Sequence, residues 1–319
     1  MASVPRSGAP GRACPLSYRY GAASLAAAPS LRTETLWVAG GLYGNPASLR
    51  CLLSLFEEEK GEKALVFNGD FHWFDVFPDE FSGIEEGVEK HLAIRGNVET
   101  ELAAPVDAGG CGCGYPEWVD DGTVERSNAI MASLAATARR FPEAQKRLAA
   151  LPMHLVAEVG GERIGVVHGD ADSLSGWGFS QEALATDAGM KSAQRAFAAA
   201  GVRVFASSHS CLPVLQTFPG ERVVVNNGAA GMPNFAGERF GIATRISTRP
   251  SKDALYGLRA GCLHVEAIAL RYDAAAWEAC FLAQWPAGSP AHRSYFERIV
   301  CGPRYGRARA LRAPAPLAA

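Results

Sequence analysis

The chain lacks an excess of charge of either sign: 31 Lys and Arg stand against 33 Asp and Glu, a formal net charge of −2 over 319 residues. That balance excludes a strongly basic nucleic-acid binder or an acidic tail as the organising idea, so stable nucleic-acid binding is not expected and any anionic partner must be held by local groups. Apolar runs long enough to span a bilayer are missing, which excludes a membrane-spanning helix. The first thirty residues carry Arg6, Arg12 and Arg19 among Pro, Gly and Ser, so an export signal is not expected. No disulfide framework is visible either. The 8 cysteines are scattered, with Cys111 and Cys113 the one tight pair, and they read as reduced thiols of a cytoplasmic protein. No internal repeat is present. What remains is an ordinary globular composition, 48% hydrophobic, long enough for one large domain or two modest ones.

Composition divides the chain into three parts. Residues 1–31, rich in Ala, Ser, Pro and Gly, read as a loosely ordered N-terminal extension. Residues 32–285 form the folded domain, and residues 286–319 a C-terminal helix and a basic tail containing Arg304, Arg307, Arg309 and Arg312. The domain opens with a short apolar strand at 35–39, a Gly-rich turn at 40–45, and a helix from Pro46 to about residue 58 with Leu49, Leu52, Leu53 and Phe56 on one face. Buried-type strands recur at 64–67, 92–94, 163–167 and 202–205. Helical periodicity lies between them at 128–141 and 191–200. Strands separated by helices imply right-handed crossovers and a largely parallel sheet, whose sites form at the carboxyl ends of its strands. Closely spaced strands at 214–217, 222–225, 241–247 and 263–271 read as antiparallel. The expected class is α/β, a mixed sheet or two packed sheets covered by helices.

A ligand-type side chain follows each of four strands: Asp70 after 64–67, Asn97 after 92–94, His168 after 163–167 and His209 after 202–205. Singly, an Asp there reads as a helix cap and a His as a hydrogen-bonded structural group. Jointly, a carboxylate, an amide oxygen and two imidazoles emerging at one sheet edge suit Mn, Fe, Zn or Ni rather than Ca or Cu(I). Gly69 and Gly96 let the backbone approach such an ion closely.

At these residues the chain resembles the calcineurin-like metallophosphoesterases, whose five ordered blocks have counterparts here. They are Gly41-Leu42-Tyr43 followed by Gly44-Asn45, then Gly69-Asp70, Gly96-Asn97-Val98-Glu99, His168-Gly169, and Ser208-His209-Ser210-Cys211. The segment from Val223 to Ala229, with Gly231 and Pro233 beyond it, is similar to the turn that trails the last block. The resemblance covers roughly residues 34–273 and implies a layered αββα sandwich of two mixed sheets flanked by helices. It also implies a site for two metal ions. The ligands of the second ion match at Asp70, Asn97, His168 and His209, whereas those peculiar to the first fall on Gly41, Tyr43 and Cys211. The His that protonates the leaving group falls on Val98.

The implied function is therefore a metal-dependent phosphoester hydrolase, phosphatase or phosphodiesterase, with a reduced, mononuclear site and one divalent Mn, Fe, Zn or Ni ion. A single ion still activates water for in-line attack on phosphorus but loses the second clamp, which is worth several kcal/mol. His72, Glu99 and Asp170 are the candidate catalytic groups, and Asn226 and Tyr43 the candidate substrate contacts. Tyr43 and Cys211 stand open to two readings, as packed side chains or as a rebuilt first-ion side. Cys111-Gly112-Cys113 lies downstream of Asn97, where it can reach over the site. Trp73, Phe74, Phe77 and Phe81 read as core or pocket wall. The partner implied is a small phosphorylated substrate, nucleotides included. The alternative from another class is a non-catalytic relative that acts as a binding or regulatory module.

Overall fold

The computed structural model describes residues 9–103 and 110–312, so the ends of the expected extension and of the basic tail, residues 1–8 and 313–319, lie outside the described residues. In chain order the described strands are β1 (Leu31–Thr33), β2 (Thr35–Ala39), β3 (Lys63–Asn68), β4 (Leu92–Ile94), β5 (His154–Val159), β6 (Glu162–Val167), β7 (Val204–Ser207), β8 (Val214–Phe218), β9 (Arg222–Asn226), β10 (Gly241–Ser247), β11 (Ala254–Ala260), β12 (Leu263–Leu270) and β13 (Leu311–Arg312). They form two sheets, ordered β11-β12-β10-β2-β3-β4 and β1-β5-β6-β7-β9-β8-β13. Both are mixed. In the first, β2, β3 and β4 run parallel, with Val38 opposite Val66 and Phe67 opposite Ala93, while β10, β11 and β12 are antiparallel to their neighbours. In the second, β6, β7 and β9 run parallel and β8 returns antiparallel to β9.

Alternation along the strands explains the layers. On β2, Leu36 and Val38 point between the sheets, where they meet Val66, Ile94, Val166 and Val204. Trp37 and Ala39, one residue out of phase, face the helices on the outside. That outer face is covered by α1 (Pro46–Glu58), α2 (Pro78–Val88), α3 (Asn97–Ala103), α4 (Asp121–Ala138), α5 (Pro142–Ala150) and, further on, Ala274–Gln284 and Pro290–Cys301. The other sheet is covered by the helix Asp187–Ala200, through Ala193, Phe197 and Ala200 against Phe205 and Val224. The result is two mixed sheets flanked by helices, the expected αββα sandwich.

Local signals place the elements that carry the site. Asn45 caps α1 by accepting from the Ser48 amide at 2.9 Å, and Pro46 occupies the first helical position, where its missing N–H costs nothing. The helix expected at 128–141 begins earlier, at Asp121, because Asp120 accepts from the Thr123 amide at 2.9 Å. It stops at Ala138, before Pro142 opens α5. In the N-terminal segment, Tyr18 and Leu25 are fully buried and the amides of Tyr20 and Gly21 donate to the Asp172 carbonyl. Ala291 and Ile299, from the C-terminal helix, belong to the same core as α1 and α4. Among the described residues no helix is long and apolar enough to cross a membrane.

Candidate metal centre

The loops that follow β3, β4, β6 and β7 meet at one edge of the sandwich. Among the described residues, Asp70, His168 and His209 form the one group of His, Cys, Asp or Glu whose ligand atoms all lie within 4.8 Å of one another, and all are buried. Asn97 joins them through its side-chain oxygen. His168 Nε2 lies 3.3 Å from Asp70 Oδ1, 3.2 Å from Asn97 Oδ1 and 3.2 Å from His209 Nδ1. Donors held about 2.0–2.1 Å from a common ion in tetrahedral geometry stand about 3.4 Å apart.

The hydrogen bonds behind these atoms decide what they present. His168 Nδ1 donates to the Asn68 carbonyl at 2.8 Å, which turns Nε2 into the cluster. His209 Nε2 donates to the Cys113 carbonyl at 2.9 Å, which bares Nδ1. The Asn97 amide nitrogen donates to the Cys111 carbonyl at 2.8 Å, which turns its oxygen inward. The Asn97 oxygen, the His209 Nδ1 lone pair and the Asp70 carboxylate thus converge on His168 Nε2. Such a cluster is repulsive unless a positive charge sits at its centre.

Electrostatics agree. Burial works to raise the Asp70 carboxyl, but His168, then His209 and the Val98 amide, hold it below its usual value. Burial works to lower His168, yet Asp70 raises it, so a proton and a cation compete for the same Nε2. His209 is pushed down to about 4 by burial and by His168, and so stays neutral as a ligand must.

The backbone around Asp70 is tightly constrained. Glu99 accepts from the amides of Asp70 and Gly96 at 2.8 Å each and from Phe71 at 3.0 Å. Its carboxylate therefore clamps the two ligand loops together instead of facing a substrate. Burial and Asp70 raise its pKa. A Cβ at Gly69 would stand 2.5 Å from the Gly96 nitrogen, and one at Gly96 would overlap Asp70 Oδ1, so this close approach admits only glycine. Tyr43, Asp70 and Cys211 have φ of 54°, 53° and 61°, and Glu221 is the only other described non-glycine residue with positive φ. Left-handed backbone costs such residues about 1–3 kcal/mol each and tends to be kept at functional sites.

The side expected for a first ion is filled by protein. A Cβ on Gly41 would overlap the Tyr43 ring and hydroxyl, so the phenol occupies the volume a side chain at position 41 would need. Tyr43 Oη and Cys211 Sγ are 2.7 Å apart, and burial pushes both groups up, leaving a neutral phenol beside a neutral thiol. Among the described residues Cys211 belongs to no group of three His, Cys, Asp or Glu ligand atoms. The rebuilt first-ion side thus has the Tyr43 and Cys211 pair but no such third donor. Beside these groups a cavity of about 60 Å³ opens on Asp70, Asn97 and His209. Its walls include Tyr43, Trp73, Tyr115, Trp177 and Tyr295, and among the described residues no Lys or Arg lines it.

The other expected residues lie elsewhere. His72 is fully buried, with Nδ1 2.5 Å from Asp75 Oδ2 and Nε2 2.5 Å from Glu85 Oε1. Both ring nitrogens are taken, so the structure gives it a role in holding the loop and not in proton delivery. Asp170 accepts from the amides of Asp172, Ser173 and Gly178 and shapes its own loop, with burial raising its pKa. Asn226 bonds Ser210 Oγ at 2.8 Å and the Gly228 amide at 3.0 Å, bracing the turn after β9. Trp73 lines the cavity, Phe74 and Phe81 are core, and Phe77 is 43% exposed. Sequence reasoning missed Tyr115, Trp177 and Tyr295, which come from separate segments with no spacing to link them.

No family model matches the chain, and no curated protein matches it. Solved structures do. A hypothetical protein from Pyrococcus horikoshii OT3 matches with a TM-score of 0.57 at 18% identity, over 85% of this chain and 99% of that one. A metallophosphoesterase from Sphaerobacter thermophilus matches with a TM-score of 0.55 at 16% identity, over 84% of this chain and 100% of that one. The chain has the metallophosphoesterase fold. Within it, the candidate ligands occupy the loops at the strand ends, where ligands gather in open α/β sheets.

Proposed function

We propose that the chain is a metal-dependent phosphoester hydrolase with a mononuclear centre, held by Asp70 Oδ1, Asn97 Oδ1, His168 Nε2 and His209 Nδ1. The observation that carries this reading is the inward convergence of those atoms while the outer His168 Nδ1, His209 Nε2 and Asn97 Nδ2 are each bound to a main-chain carbonyl. A divalent ion of the Mn, Fe, Zn or Ni type would supply Lewis acidity toward a phosphoryl oxygen and the attacking water. The protein groups do the rest. Glu99 fixes the Asp70 and Gly96 loops. The Tyr43 phenol, kept protonated by burial and held against Cys211 Sγ, forms a wall of the cavity beside the ligands. The substrate class that suits this site is a small phosphorylated compound, nucleotides included.

A second reading, a binding module without turnover, is favoured by one observation: among the described residues no Lys or Arg lines the cavity to meet a phosphate. A generic monoester and diester assay with Mn, Fe, Zn and Ni, beside the Asp70→Asn and His209→Ala variants, separates the two. The hydrolase reading expects ion-dependent turnover that falls at least tenfold in each variant. Equal residual rates in all three proteins would leave only the binding module.

A further inference from the structure

The ligand atoms can present lone pairs only while something outside the cluster dictates how Asn97 and His209 are turned. An asparagine amide flips at little cost, and a neutral imidazole has two tautomers. Flipped, Asn97 would offer N–H₂ to the centre, and the other tautomer of His209 would offer N–H. Either change replaces an electron pair with a proton and turns a cation site into a hydrogen-bonded cluster. The groups that prevent this are two main-chain carbonyls of one short segment. Cys111 O accepts from Asn97 Nδ2 at 2.8 Å, and Cys113 O accepts from His209 Nε2 at 2.9 Å and from Trp177 Nε1 at 3.1 Å. The Gly112 carbonyl between them is held by Ser175 Oγ at 2.7 Å.

This loop is in turn pressed from behind by the N-terminal segment. Gly112 has φ of 65°, and a Cβ there would stand 2.5 Å from the Tyr18 hydroxyl, 3.0 Å from Glu101 Cγ and 3.2 Å from Asn97 Cβ. Tyr18 donates to Glu101 of α3 and is fully buried. Nearby, Tyr115 N donates to the Gly11 carbonyl, Leu174 N to the Tyr18 carbonyl, and Arg12 to the carbonyls of Pro116 and Val119. Segments 110–119 and 170–178 are thus strapped to residues 9–20.

We propose that the Cys111–Gly112–Cys113 segment, backed by Tyr18, is the positioning element that sets the Asn97 flip and the His209 tautomer, and that the N-terminal segment is thereby part of the metal centre. The proposal rests on the assignment of the ligands above. The cysteines act through their carbonyls, so their thiols are dispensable for this role, and glycine at 112 is required because any side chain meets Tyr18 and Asn97.

The test uses the full chain stripped of metal, with cobalt(II) chloride as probe. Binding is titrated in wild type, Gly112→Ala and Tyr18→Phe, and imidazole ¹⁵N shifts are recorded for the metal-free proteins. Groups behind metal ligands are worth about 10–100-fold in affinity. Gly112→Ala is expected to weaken Co(II) binding within that range and to shift His209 from the Nε2–H tautomer to a mixture. Tyr18→Phe, which keeps the ring and loses the tether to Glu101, is expected to move both readouts the same way by less. The Tyr18 variant carries the test if Gly112→Ala fails to fold. Unchanged affinity and an unchanged His209 tautomer in the Gly112 and Tyr18 variants would overturn the proposal. Absence of Co(II) binding by wild type would instead overturn the ligand assignment.

Discussion

Gly41 and Tyr43 exclude one another's alternatives. The Tyr43 ring lies where a Cβ at 41 would go, so an acidic ligand at 41 and this tyrosine rotamer cannot coexist. The side expected for a first ion is not a void, and the Tyr43 ring occupies it. Gly41→Ala is expected to cost about 1–3 kcal/mol by overpacking, but less than about 0.5 kcal/mol when introduced into Tyr43→Ala, because the obstacle is gone. Urea unfolding of the four proteins checks this, and an equal cost in both backgrounds would contradict it. Single residues were legible in the sequence where their type carries the chemistry. Asp70, Asn97, His168 and His209 each announce a donor atom at a strand end. The carbonyls of Cys111 and Cys113 have no such signature, since every residue carries one. His72 misled for the converse reason, since an imidazole beside a ligand invites a catalytic role until both its nitrogens are seen to be engaged.

That engagement links the loop after β3 to α2. His72 bridges Asp75 and Glu85 and stacks on Phe81 with ring centroids 4.1 Å apart, and Arg147 of α5 pairs with Glu85 from the far side. Removing one partner from a buried charged cluster costs about 3–5 kcal/mol. His72→Ala is therefore expected to lose stability in that range while binding as much metal per chain as wild type; loss of metal from a protein that remains folded would return His72 to the centre. Legibility of the elements followed burial. Strands with unbroken apolar runs, such as β3, β6 and β9, stand out, and so does α1, whose cap and proline coincide. β11 did not, because it is an edge strand with only Ala260 buried, and its pattern lacks a clean apolar face. β5 was missed although its buried residues are apolar, since His154 and Glu158 break the run. The start of α4 was set by the side chain of Asp120, outside the periodic stretch.

Across the molecule, the centre joins the two sheets. Asp70 and Asn97 leave strands of one, and His168 and His209 leave strands of the other, so an ion held by all of them would tie the halves of the sandwich at their common edge. The layered architecture was readable because apolar strands separated by amphipathic helices admit few arrangements. The contribution of residues 9–31 was not, because small and polar residues in irregular backbone pack by specific hydrogen bonds and leave no periodic trace. Metal content per chain tests the central claim most directly. After equilibration with Mn or Zn and removal of excess, elemental analysis is predicted to give one ion per wild-type chain and close to none in Asp70→Asn and His209→Ala. Two ions per chain, or one ion retained by both variants, or none in wild type, would contradict the mononuclear centre described here.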